Sequence, residues 1–321
     1  MEKSLSMQKK MSLNQFFRQF GIVIVLILMC IVISCLTDRF FTISNILSVA
    51  RQVSINGILA LGMGFVIITG GIDLSVGSLL ALTASITLGL IGSGVNWFVG
   101  CICGMLVGIA VGLLEGLLVA KLRIAPFIAT LASMTICRGA TQVFDGGTAI
   151  RVSDVSFKAL GQNYIGPIPV PVIIMIVMFI IGWFITKKTR FGRHMYAVGG
   201  NEQAARLSGV SVPTIKISVY CICGLCCAVS GFITAARLGS ATPTAGEGAE
   251  MDAIAAVVLG GVSMDGGKGS LTGVFVGAFI IGVLNNALNL LSVSAYWQEI
   301  AKGLVILLAV VIDRVLSKEK A

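Results

Sequence analysis

Apolar runs of membrane-crossing length recur from one end of this sequence to the other. A helix that crosses a bilayer needs ~20 mostly apolar residues. Runs of that kind, several of them shortened or broken by glycine, occupy approximately Gly21 to Leu36, Val53 to Thr69, Leu74 to Ile91, Trp97 to Ala120, Ile124 to Cys137, Val170 to Thr186, Ile217 to Ala236, Met251 to Met264, Gly269 to Leu291 and Ile300 to Ile312. Hydrophobic residues make up 56% of the 321 positions and charged residues only 12%, a balance outside the soluble range. The expected fold class is therefore all-α: a polytopic membrane protein with about ten transmembrane helices.

Lysine and arginine set the expected orientation. With the N-terminus inside, most basic residues fall on the cytoplasmic side, including Lys9, Lys10, Arg18, Lys121, Arg123, Lys187, Lys188, Arg190, Arg193 and Lys216. The net charge of +9 thus reads as membrane topology, and no basic patch with interleaved aromatics suggests nucleic acid. The division is a cytoplasmic lead-in over 1–20, interfacial in character, a transmembrane domain over 21–314 and a cytoplasmic tail over 315–321, with both termini cytoplasmic. The nine cysteines lie inside apolar spans, which argues against disulfides. Helical spacing scatters the thiols of the CICGLCC run, so neither a metal nor a cofactor is expected.

The longest polar interruption is Lys187 to Lys216. Gly199 and Gly200 lead into it, Asn201 can cap a short helix, and Glu202 stands at that helix's positive end. Ala204 and Ala205 follow inside it, Arg206 falls in its last turn, and Gly209 can take the left-handed stop. Pro213 then suits the first turn of the next span. The spacing predicts an ordered two-turn helix at the membrane surface, either a plain connector or a docking element.

Polar residues inside the apolar runs are costly and mark candidate sites. Asp73 and Ser75 stand between the second and third spans beside Gly70, Gly71 and Gly77. Two readings stay open: a surface turn with Asp73 as cap, or a broken helix lining a solute path. Gly260, Gly261, Asp265 and Gly269-Ser270-Leu271 echo that break about 190 positions later, a weak sign of two related bundles. Gly104, Gly108, Gly112 and Gly116 give the fourth span one bare face, suited to close packing or dimerisation. Glu115 beside it is expected to snorkel towards Lys121. Asn285 and Asn289 share a helical face, as packing amides or as partners for a passing solute, and Lys302 is placed to pair with Glu299. Gln142 to Pro169 and the acidic segment Gly239 to Asp252 form outer loops.

Gly267-Lys268-Gly269-Ser270 lacks the upstream glycine and the Lys-Ser/Thr pair of a phosphate loop, and neither HExxH nor GxSxG occurs. No enzymatic machinery is visible. The segments GGIDLSVGSLLALT, PFIATLASMTICRG, GRHMYAVGGNEQAARLSGV and TAGEGAEMDAIAAVVLGGVSMDGGKGS, followed by LNNALNLL, resemble the ribose-type sugar permease family of bacterial ATP-binding-cassette importers. The likeness runs from about Phe40 to Asp313. It implies an inner-membrane permease subunit, working as a pair, that receives a sugar from a periplasmic binding protein and is driven by a cytoplasmic ATPase. On that resemblance Gly199 to Gly209 is the element inserted into the ATPase, and the spans near Asp73, Asp252, Asn285 and Asn289 line the path. The alternative is an ion-coupled secondary transporter of a small polar solute, with Glu115, Asp252 and Asp73 as candidate ion sites. A channel or scaffold is a further rival.

Overall fold

The computed structural model of the chain describes residues 13–151 and 153–318. The expected lead-in lies outside the described residues as far as residue 12, and the end of the expected tail, 319–321, does too. α1 (Leu13–Leu36) is followed by α2 (Ile43–Ile68), which starts ten residues before the expected span. Arg51 and Gln52 are therefore inside a helix. The Arg51 guanidinium sits 5.5 Å from the centre of the Tyr164 ring and its Nε donates to the Leu47 carbonyl, which makes a charge tolerable there. α2 is the most buried long helix, with every residue from Gly57 to Ile68 buried and the helices Val170–Lys188, Val212–Leu238, Ala249–Leu259 and Leu271–Leu290 packed on it.

A seven-residue break leads to α3 (Val76–Gly92), then α4 (Trp97–Ala120) and α5 (Pro126–Asp145). The region read as an outer loop is more ordered than expected. It holds β1 (Ile150–Arg151), α6 (Val155–Gln162) capped by Asp154, whose carboxylate accepts from Phe157 N at 2.9 Å, β2 (Tyr164–Ile165) and β3 (Ile168–Pro169), paired antiparallel with β2. α7 (Val170–Lys188) returns across the bundle.

The polar interruption contains two helices, not one: α8 (Arg190–Gly200) and α9 (Glu202–Leu207). Gly199 and Gly200 end α8 and are no mere lead-in. Thr189 Oγ1 caps α8 by accepting from Gly192 N at 3.2 Å, a signal hidden among the basic residues. Asn201 caps α9 as expected, accepting from Ala204 N at 2.9 Å, and Gly209 takes φ 82°.

α10 (Val212–Leu238) ends at β4 (Ser240–Ala241), which pairs with β1, a ladder between residues ninety positions apart that no local pattern announces. α11 (Ala249–Leu259) is too short to span: eleven residues rise only ~16 Å.

 It enters the bundle from a segment that dips inward, because the Gly246 backbone packs directly on Gly77 at the start of α3, and Arg138 Nη1 of α5 donates to the Ala245 carbonyl at 2.9 Å. The expected full span from Met251 to Met264 is thus a half-span, the helix Ala249–Leu259 followed by a glycine-rich turn. α12 (Leu271–Leu290) and α13 (Ala295–Lys318) complete the bundle. Among the described residues five helices, α2, α4, α7, α10 and α12, are long and apolar enough to cross a membrane, with shorter apolar helices at Gly21–Leu36 and Val76–Gly92.

The glycine face of α4 lies on α10. Gly108 meets the Gly224 backbone, Gly112 the Tyr220 carbonyl, and a Cβ added to Gly116 would stand 2.7 Å from Ile217 Cα. Gly104 faces Phe232 and Thr87. The cysteines of α10 serve as small apolar side chains: Cys223, Cys226 and Cys227 are buried and free, and Cys223 and Cys226 fill the space above Gly62 of α2.

Candidate functional site: a polar cavity at Asp252 and a glycine junction below it

Half-way along α2, at Asn56, the bundle opens into a cavity of about 270 Å³. This is a little under the ~300–1,000 Å³ usual for small-molecule sites. Its polar wall comes from five helices: Gln52 and Asn56 on α2, Arg237 at the end of α10, Asp252 on α11, Asn285 and Asn289 on α12, and Gln298 and Lys302 on α13. Asp252 stands at its centre because the first turn of α11 starts inside the bundle. Lys302 Nζ lies 3.2 Å from Asp252 Oδ1 and 3.3 Å from Oδ2, while Asn285 Nδ2 donates to Oδ2 at 2.9 Å and Asn56 Nδ2 reaches it at 3.5 Å. Lys302 therefore pairs with Asp252. The expected pairing with Glu299 is not formed, since Glu299 is exposed on the next turn of α13 while Lys302 points into the bundle.

Asp252 and Lys302 neutralise each other, Arg237 and Glu247 add one charge of each sign to the lining, and hydrogen-bonding capacity is left over. Asn285 has its amide nitrogen engaged by Asp252, but its Oδ1 is buried with no partner. Buried acceptors are ordinarily satisfied, so this oxygen, which no protein group engages, can accept from a solute hydroxyl. Asn289 is held by Gln298 Nε2 at 3.0 Å, tying α12 to α13. Asn286, one residue round the helix, exchanges two amide hydrogen bonds with Asn45 of α2 at 3.0 and 2.8 Å. Adjacent asparagines thus divide the work: Asn286 joins helices and Asn285 faces the cavity.

The structure brings Asp252, Asn285 and Asn289 together and leaves Asp73 and Ser75 out. Those two are fully buried in the α2–α3 break, with Asp73 Oδ1 accepting from Ser75 N at 2.9 Å and Ser75 Oγ at 2.7 Å. Glu115 does not snorkel. It is fully buried, because the glycine face seats α4 so close to α10 that the neighbouring side chain is sealed in. Asn56, Gln298 and Lys302 were not singled out as lining residues by the sequence; the signal available for Asn56 was a lone amide within an apolar run.

At the other end of α2, ~18 Å from Asn56 by helical rise, three glycine-bearing segments meet backbone to backbone. Gly267 N donates to the Ile68 carbonyl at 2.8 Å, Gly199 rests on that same carbonyl, Gly200 lies against Gly267, and Gly266 lies against Gly70. Tyr196 Oη adds a bond to the Gly269 carbonyl at 3.0 Å. The two echoing breaks, Gly70-Gly71 and Gly260 to Gly269, thus touch each other and the end of α8. Beyond the junction, α9 projects outward: Glu202 pairs with Lys216 at 2.6 Å and Arg206 at 3.4 Å, Ala205 is buried, and Leu207 is 90% exposed.

Residues 45–310 match the family described as branched-chain amino acid transport system / permease component. Among curated proteins, the ribose import permease of Bacillus subtilis (strain 168) is 50% identical over 309 residues, covering 96% of each chain. The ribose import permease of Escherichia coli (strain K12) is 48% identical over 294 residues, 90% of this chain and 92% of its own. The L-arabinose transport system permease of the same strain is 39% identical over 310 residues, 96% of this chain and 94% of its own. No solved structure matches the chain. A match that takes in α2 to α13, together with relatives aligned over nearly their full length, places this chain in the family of permease components of that transport-system class.

Proposed function

We propose that the chain is the membrane-spanning permease subunit of a binding-protein-dependent, ATP-driven importer that carries a monosaccharide, ribose or a close analogue, across a bacterial inner membrane. The observation that carries the reading is the gradation among relatives: 50% and 48% identity to ribose permeases against 39% to an arabinose permease and 37% to a D-allose permease. ATP hydrolysis belongs to a separate cytoplasmic subunit, affinity for the sugar to a periplasmic protein, and the permease works as a homodimer with both termini cytoplasmic, 21–314 forming the transmembrane domain.

In this reading the Asp252 cavity is a brief stop and not a high-affinity site. Asn285 Oδ1 accepts from a sugar hydroxyl, while Asp252 and Lys302, already paired, contribute an orienting field without a net charge that would hold the solute. Weak binding suits a carrier that must release. Gly199 to Gly209 docks on the ATPase, with Leu207 as its exposed apolar contact. ATP-driven closure then biases a two-state equilibrium of the paired bundles. Gln142 to Pro169 and the region from Gly239 meet the binding protein.

Uptake of labelled ribose by cells lacking their own pentose importers, expressing this permease with its ATPase and binding protein, tests the function. Ribose uptake that needs the ATPase is expected. Uptake that continues without the ATPase and collapses with the ion gradient would replace this reading with the ion-coupled one. Docking is tested by Glu202→Ala. The Glu202 pairs are half-exposed, so the stability of the permease is expected to move by only ~0–1 kcal/mol, while loss of the staple to Lys216 frees α9 and lowers ATP-driven uptake severalfold. Gly209→Val, strained at φ 82°, is expected to do the same. Normal uptake by both variants would remove α9 from the coupling route.

A further inference from the structure

Asp73 and Glu115 take no part in the Asp252 cavity. They come from the α2–α3 break and from the inner half of α4, are both fully buried, and lie within hydrogen-bonding reach of each other. Among the described residues neither carboxyl has an ion-pair partner. The titratable side chains facing the pair are Cys137 from α5 and Tyr220, Cys223 and Cys227 from α10, and none of these supplies a positive charge. Asp73 Oδ1 is saturated by Ser75, but Asp73 Oδ2 and both Glu115 oxygens make no hydrogen bond, with only the Ser133 hydroxyl beside Glu115 and the weak Cys223 thiol beside Asp73 as further donors. Three buried acceptor oxygens on two neighbouring carboxyls are thus left unpaired, an arrangement that two carboxylates would not maintain.

A single proton resolves the arrangement. Placed on Glu115, it makes one of the three oxygens a donor to Asp73 Oδ2, and the remaining Glu115 oxygen lies beside the Ser133 hydroxyl of α5. The charge rests on Asp73, where two Ser75 donors already favour the anion. We propose that Asp73 and Glu115 form a binding site for one shared proton, and that the resulting acid–carboxylate hydrogen bond is a clasp fastening the α2–α3 break to α4. The carbonyl of Ile72, next to Asp73, is gripped in the same place by Tyr220 Oη of α10 and Thr130 Oγ1 of α5, each at 3.3 Å. Gly70, three residues before Asp73, belongs to the glycine junction, so the clasp fixes the far side of the segment that the junction would move.

The proton is tested by replacements that mimic or delete it. In Glu115→Gln the amide NH₂ donates to Asp73 Oδ2, so uptake and thermal midpoint are expected to stay close to those of the parent protein. In Glu115→Ala, Asp73 keeps beyond Ser75 only the weak thiol donor of Cys223, and folded, active permease is expected to fall by roughly tenfold or more. On the unmodified permease in lipid nanodiscs, infrared spectroscopy at neutral pH is expected to show a protonated-carboxyl C=O band that shifts in D₂O and is missing from Glu115→Gln. This band does not depend on which solute is carried. Its absence, or a Glu115→Gln variant as defective as Glu115→Ala, would overturn the shared proton. Thermal stabilisation of the unmodified protein by sodium or potassium, with no such band, would overturn it in favour of an alkali cation.

Discussion

Gly112→Leu is expected to remove nearly all folded permease from detergent extracts. A Cβ at residue 112 runs into the carbonyl oxygen of Tyr220 and stands 2.8 Å from its carbonyl carbon, and these are backbone atoms in mid-helix that no rotamer change can move aside. Overpacking a core costs ~1–3 kcal/mol when side chains can yield, and more when the backbone must shift. The loss extends beyond one contact. Lipid offers apolar side chains the same environment as the protein interior, so close packing of small residues is a main source of helix association in membranes. Separating α4 from α10 at Gly112 also parts Gly108 from Gly224, four residues along the same face. Size-exclusion profiles and thermal unfolding of the detergent-solubilised protein give the measurement. Gly92→Ala, at a position where an added Cβ meets nothing within 4 Å, is the matched control and is expected to behave as the parent does. Equal behaviour of the two variants would show that the glycine face is not what joins these helices.

Asp252→Ala is expected to cost several kcal/mol, and Lys302 is the reason. Removing one partner from a buried ion pair leaves the other charge uncompensated, at ~3–5 kcal/mol. The lower end applies here, because the Lys302 side chain retains 27% exposure. Asn285 Nδ2 loses its acceptor in the same step, so both polar atoms of that amide become unsatisfied. The double variant Asp252→Asn with Lys302→Gln removes both charges and keeps hydrogen-bonding groups in place, and it is expected to recover most of the stability. Thermal midpoints across the cycle report a coupling between the sites. Strict additivity would mean that the pair contributes nothing. Ribose uptake of the double variant separates structure from transport: if the field of the pair orients the solute, a stable double variant carries ribose more slowly than the parent protein.

What could be read from the sequence follows from what a helix repeats. A period of four in Gly104, Gly108, Gly112 and Gly116 reports one face of one helix, and Asn201 three residues before Ala204 reports a cap, because both partners lie on the same short stretch of chain. The apolar runs are visible for the same reason. Contacts between helices leave no such trace. Lys302 and Asp252 are fifty positions apart, Asp73 and Glu115 forty-two, and no spacing rule distinguishes Lys302 reaching across to α11 from Lys302 folding back on Glu299. The sealing of Glu115 depended on how closely its glycine neighbours let α10 approach, a property of the helix pair. The half-span α11 was concealed by its composition: residues 251–264 are apolar enough to cross, but the glycines at 260 and 261 end the helix, with Gly261 at φ 76°.

The junction of Gly199, Gly200, Gly266 and Gly267 with Ile68 and Gly70 is made of main-chain atoms alone. Side-chain contacts behave as springs, because rotamers absorb small displacements before neighbours feel them. Peptide planes in direct contact have no such compliance, so a push on α8 and α9 reaches the end of α2 and the turn before α12 with little slack. A bearing of this kind depends on three positions that carry no side chain, Gly199, Gly266 and Gly267, where a Cβ would run into neighbouring backbone, whereas one at Gly200 would meet nothing within 4 Å.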